Sequence, residues 1–309
     1  MDFTTTLYNV LIMFFYMLPA FLLVKFKFLE ENHTKPLSII LLYICLPCMI
    51  LHAFQEIEFK WSNLAKIGEF FLVTLILMSF SIGLACLILY KKFDDAKYRL
   101  LAITMALGNV GFFGLPLITA LFPNAHIVGC YSSTYTINMT IMSFSVGVFA
   151  LTKDKQYISL KASLLNTGTI STVIAIIIYI TKWHYPTILG NAIKILGNMT
   201  TPICMHILGI RLGCISLLEL FKRPFAYITC ALKLIVFPLF CYLCVYFIPF
   251  FDREFKASIL ILSAVPSAAV VLTLAELHNT EQELTANVVL LSTLICIITI
   301  PVISLLLDV

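Results

Sequence analysis

Apolar residues recur along the chain in blocks of about twenty, the length a helix needs to cross a bilayer, and short polar stretches part them. The blocks fall at residues 7–24, 36–54, 64–90, 100–122, 126–151, 164–182, 187–212, 225–247, 257–277 and 285–307. This pattern predicts an all-α polytopic membrane protein of about ten spans, with almost nothing left over for a soluble domain. Two blocks are interrupted at their centres. The fourth contains GNVGFFGLPL, residues 108–117, and the ninth contains AVPSAA, residues 264–269.

The polar stretch at residues 152–163 divides the chain into 1–151 and 164–309, and an odd number of spans in each half sends the second half through the membrane upside down. Traces of such an inverted repeat are visible. The second span of each half carries a proline, Pro47 or Pro202, and the fourth span of each half is entered from a basic residue, Arg99 or Lys256, and breaks at mid-depth. Matching interrupted helices point to a transporter's binding site, because unwound backbone at membrane depth is tolerated only where it is buried in protein or lines a cavity.

Composition agrees with this architecture: 61% of the residues are hydrophobic and 12% charged, against roughly 25% charged in a soluble domain. Lysines and arginines cluster on one side of the predicted topology (Lys25, Lys27, Lys35, Lys91, Lys92, Lys97, Arg99, Lys153, Lys155, Lys161, Arg211, Lys222, Arg223) and are sparse on the other (Lys60, Lys66, Lys182, Arg253, Lys256). The positive-inside rule then places both termini outside. No basic patch with interleaved aromatics exists, which argues against nucleic acid as a partner. The CxxC pairs Cys45/Cys48 and Cys241/Cys244 lie inside spans at different depths, so neither a metal nor another cofactor is expected. Phosphate-binding loops, HExxH and GxSxG are absent from the sequence, which argues against an enzyme.

The chemistry of the fourth span favours a small polar or anionic guest. Pro116 lacks an N–H and opposes the carbonyl of Phe112, which predicts an opened hydrogen-bond ladder at Pro116. Gly108, Gly111 and Gly114 let another backbone approach, and freed amides at the start of a half-helix attract anions. Asn109 supplies a side-chain amide; in the ninth span Pro266 makes the break and Ser267 offers a hydroxyl. Asn138 either lines the same cavity or bonds to a neighbouring helix. Three residues are candidates for ion coupling. Lys233 either snorkels to the interface or pairs with a carboxylate or substrate. His206 shares a helical face with Pro202 and is a candidate proton carrier, although a lone histidine in a helix is more often a packing residue. Glu69 is an acidic group just inside span three, with Lys66 three residues before it as an alternative partner.

GNVGFFGLPL resembles the span-four signature of the auxin efflux carrier family, which includes plant auxin exporters and bacterial malate or malonate permeases. LKLIVFPLF around Lys233 and Pro238, and AELHNTEQELTANVVLLSTLICIITIPV, are similar to the family's later spans, so the resemblance covers nearly the whole chain. It departs where a family Asn-Pro reads Asn166-Thr167, and the long cytoplasmic loop of many plant members is missing. The resemblance implies a ten-helix 5+5 inverted-repeat fold, like that of sodium/bile-acid symporters, in which broken spans four and nine cross. Spans one, two, six and seven would form a scaffold and dimer surface, and spans three to five and eight to ten a transport domain that moves like an elevator. Asn109, Pro116 and Pro266 match the family's crossover positions.

The sequence thus reads as a secondary transporter of small organic anions in the plasma membrane, a homodimer coupled to a proton or sodium gradient. A ligand-binding sensor using the same crossover is the alternative.

Overall fold

The structure is a computed structural model that describes residues 3–216 and 220–307. In chain order its main helices are α1 (Phe3–Lys25), α2 (Glu31–Gln55), α3 (Trp61–Ile88), α4 (Ala96–Thr104), α5 (Val110–Leu121), α6 (Ile127–Thr152), α7 (Lys155–Ile180), α8 (Thr187–Cys214), α9 (Pro224–Tyr246), α10 (Arg253–Ala264), α11 (Ala269–Leu277) and α12 (Gln282–Leu307). Among the described residues there is no sheet, only an isolated antiparallel bridge between Gly108 and Ser267. Eight of the helices are long and apolar enough to cross a membrane. The other four are the halves of the two interrupted blocks, α4 with α5 and α10 with α11. The terminal residues that the charge rule places outside, Met1, Asp2, Asp308 and Val309, lie outside the described residues.

Prolines set the local form of three helices. Pro47, Pro116 and Pro238 each follow a widened π turn, at Leu41–Cys45, Val110–Gly114 and Leu232–Val236. Leu46, Leu115 and Phe237 reach back one residue further than usual, to the carbonyls of Leu41, Val110 and Leu232. The wider turn relieves the clash between the proline ring and the carbonyl before it, and each proline then sits in the first turn of regular helix, where its missing N–H is not needed. The ladder in span four therefore does not open at Pro116, as the sequence predicts, but earlier, between Thr104 and Val110. Asn166, where the family pattern departs, lies within α7 and caps its second segment, Thr167–Ile180, by accepting from the Thr169 N–H at 3.0 Å.

Small residues bring α1, α2 and α8 together. A Cβ at Gly209 would collide with the Met17 carbonyl of α1, one at Gly213 would meet Val24 at 2.8 Å, and one at Gly197 would meet the α2 backbone at Met49 at 2.9 Å. Backbones this close maximise dispersion contact where no hydrophobic drive separates protein from lipid. A second group forms around buried aromatic rings. Phe70 of α3 stacks on Tyr131 of α6 at 4.4 Å and meets Phe255 of α10 edge-on at 5.0 Å. Above this cluster Asp252 caps α10 by accepting from the Phe255 N–H at 2.8 Å, and its other oxygen takes Lys66 of α3 at 2.5 Å. The entry point of α10 is thereby fixed to α3.

Candidate functional site at the paired helix breaks

The two interruptions lie against one another. Asn109 donates its backbone N–H to the Pro266 carbonyl at 2.8 Å, and Ala268 donates to the Leu107 carbonyl at 3.0 Å. The helix ends thus satisfy part of each other's orphaned backbone, which a break at membrane depth requires. Gly108 makes this approach possible, since a Cβ there would stand 2.8 Å from Val265 Cγ2 and 2.9 Å from Lys233 Nζ. Gly114 faces Leu262 and Val265 of the other break, whereas Gly111 faces Thr136 of α6. Pro266 closes the bridge from its carbonyl side and is buried.

Polar groups at the breaks are only partly committed. Neither α5 nor α11 has a side-chain cap, although Asn109 occupies the N-cap position of α5 and is a residue type that caps well. The Asn109 side chain instead lies within hydrogen-bond reach of the Cys204 thiol on α8. Ser267 gives its backbone N–H to Ser292 Oγ at 3.0 Å, while its own buried hydroxyl has no partner among the described residues. Two uncapped helix starts, a side-chain amide and an unused hydroxyl therefore share one place, and all of them suit a hydrogen-bonding anion.

The remaining candidates are distributed around this centre. Lys233 is fully buried beside it and donates to the Ser263 carbonyl at 2.8 Å, so its head does not snorkel. Asn138 is not at the bridge: its Nδ2 bonds the Phe71 carbonyl and Thr74 Oγ1, each at 2.7 Å, tying α6 to α3. His206 is half-buried and its Nδ1 lies 2.6 Å from the Pro202 carbonyl one turn back. Glu69 is exposed, and the nearby Lys66 reaches Asp252 instead.

Pro116 belongs to a separate feature, a cavity of about 530 Å³ between α1, α2, α8 and the α5–α6 turn. Asn9, His52, Glu56, Pro116, His126 and Pro202 are among its lining residues. There the Glu56 carboxylate lies 3.5 Å from His52 Nε2 and 3.6 Å from His126 Nδ1, joining α2 to the start of α6. The sequence does not reveal this trio: His52 and His126 sit at the ends of the apolar blocks 36–54 and 126–151, Glu56 lies just beyond the first, and the chain separates Glu56 from His126 widely. The charge pattern also counts Arg211 with the inner loops. In the structure Arg211 lies in α8, and its Nε and Nη1 are buried without partners among the described residues. Its position seven residues after Cys204, two turns along one face, was the available signal.

The profile of the membrane transport protein family matches residues 5–160 and 155–304. The chain is also 28% identical over 280 residues to an uncharacterized transporter of Methanocaldococcus jannaschii, covering 87% of this chain and 88% of that one. With eight helices among the described residues able to cross a membrane, the profile match identifies this chain as an integral membrane protein of the membrane transport protein family.

Proposed function

We propose that the protein is an elevator-type secondary transporter of small organic anions, mono- or dicarboxylates, with its substrate site at the paired breaks. The carrying observation is the antiparallel contact of Gly108 with Ser267, which brings two uncapped helix starts to one point. Asn109 and Ser267 would hold the carboxylate by hydrogen bonds, Gly111, Gly114 and Pro266 would shape the gap, Pro116 would act from the cavity between α1, α2 and α8, and Asn138 would support the site from α6.

In this reading α4 with α5, and α10 with α11, each cross the bilayer as one broken span, giving ten spans in a 5+5 inverted repeat with the broken pair crossed. At about 1.5 Å per residue neither half alone covers a hydrocarbon core of about 30 Å. Two details support the symmetry. Asp95 and Asp252 cap the first half-helix of each pair, and Asp95 precedes Asn109 by as many residues as Asp252 precedes Pro266. The group formed by α1, α2 and α8 would be scaffold and, with α7, the homodimer surface. The group bound to α3, α6 and α10 would move. The resemblance to auxin efflux carriers and bacterial malate permeases supports carboxylates as cargo, and the proton or sodium as the driving ion, with Glu69, Lys233 and His206 as coupling candidates. The outward termini rest on the charge bias, and the plasma membrane on the family resemblance.

Labelled malate, malonate, pyruvate and indole acetate offered to proteoliposomes, with and without imposed gradients, test this function. Saturable uptake or counterflow of a carboxylate is expected; ligand binding without any flux favours a sensor.

A further inference from the structure

We propose that Lys233 occupies, with its own ammonium group, the place a mobile coupling cation would take at the broken helices, so that a proton carried on Nζ is the coupling ion and sodium is not required. The proposal rests on the carrier reading above and names its coupling.

The last carbonyls of a helix lack intrahelical donors and carry its negative partial charge, and in transporters with discontinuous helices such ends bind the driving cation. Ser263 is the penultimate residue of α10, and its carbonyl is taken by Lys233 Nζ at 2.8 Å. The same Nζ lies 5.1 Å from the centre of the Phe237 ring, a face that favours cations. It also presses on the other break, for a Cβ at Gly108 would stand 2.9 Å from it. A single nitrogen thus touches both interruptions, from the π turn of α9 that precedes Pro238.

The charges around it are few. No carboxylate lies within ion-pair distance of Lys233 among the described residues, and the Cys241 thiol, two turns along α9, is the titratable group whose charge reaches it. From α10 it meets the Ser263 carbonyl, and from the α4–α5 break Gly108, neither of which titrates. An ammonium has three donors, and one is used here. Burying the rest is costly until an anion arrives at Asn109 and Ser267 to compensate it. Anion and proton therefore favour each other's binding, and the linkage is reciprocal. The proton is taken from water on the loading side by the neutral amine and released with the anion on the other side, one proton per anion.

The test uses proteoliposomes of the wild type and of Lys233→Gln and Lys233→Arg, with labelled pyruvate and malate. In sodium-free choline buffer the wild type should accumulate monocarboxylate about tenfold per unit of imposed pH gradient, the ratio one coupled proton sustains. A sodium gradient at equal pH should add nothing. Lys233→Gln should lose the pH-driven accumulation, and so should Lys233→Arg, which holds its proton throughout; the unfolding midpoint of each in detergent reports that it is folded. If neither variant is folded, the wild-type arms decide alone. A sodium requirement in the wild type, or pH-driven accumulation that survives in Lys233→Gln, overturns the proposal and leaves the carrier standing. Absence of any carboxylate flux in the wild type overturns the carrier reading and the coupling with it.

Discussion

The backbone N–H of Asn109 donates to the carbonyl of Pro266 at 2.8 Å, across the two halves of the chain. This bond and its neighbour from Ala268 to Leu107 give two broken helices a shared floor without using the Asn109 side chain or the Ser267 hydroxyl. The stability of that floor depends on how closely the two backbones approach.

Gly108→Ala tests that approach. The added methyl meets Val265 and Lys233 at less than 3.0 Å, both held in the interior, so the change should cost about 1–3 kcal/mol as overpacking does. Gly68→Ala is the control, because nothing lies within 4 Å of its Cβ. Thermal unfolding in detergent should show a lowered midpoint for the first and an unchanged or raised one for the second.

Ser267→Ala separates binding from folding. The hydroxyl is buried and has no partner among the described residues, so its removal should leave stability unchanged or raise it by up to about 1 kcal/mol. The same variant should raise KM for a carboxylate severalfold. A large fall in the unfolding midpoint would place the hydroxyl in the fold instead of the site.

Asn138→Ala should behave in the opposite sense. It removes both amide bonds that tie α6 to α3, and interhelical bonds in membranes are worth about 0.6–1.7 kcal/mol. The unfolding midpoint should fall while KM changes little. A rise in KM without loss of stability would return Asn138 to the substrate cavity.

How much of this was legible in the sequence varies with the range of the interaction. The apolar blocks predicted all eight long helices, because span length is set by the bilayer and needs no partner. The two breaks were also readable, since glycine and proline act on their own backbone. Where the ladder opens was not: the π turn at Val110–Gly114 absorbs Pro116, and the unwinding moves ahead of it to Met105–Asn109, where it meets Pro266. Pairings of residues distant in sequence were likewise hidden. Lys66 had Glu69 one turn away and found Asp252 instead, and Lys233 found a carbonyl in place of a carboxylate.

The exposed loops supply a prediction about pH. The Lys153 ammonium, 2.6 Å from the Asp94 carboxylate, holds Asp94 below its ordinary range by hydrogen bond and charge. A lowered carboxylate stabilises the fold above its unfolded value and loses that contribution as pH falls through its folded value. Asp94→Asn should therefore have a small effect at neutral pH, weaker in high salt, and none once the pH is below the lowered folded value of Asp94. Unfolding midpoints of both proteins against pH and salt check this, and a gap that widens in acid would contradict it.

The central claim, that the paired breaks form a carboxylate site in a carrier, is tested most directly by counterflow of labelled malate and pyruvate in proteoliposomes containing the wild type or Asn109→Ala. The account predicts saturable counterflow in the wild type and a loss of at least about tenfold in Asn109→Ala, the effect of about 1.4 kcal/mol at the site, with the variant still folded. Equal counterflow in both proteins, or none in the wild type with any carboxylate, would contradict it.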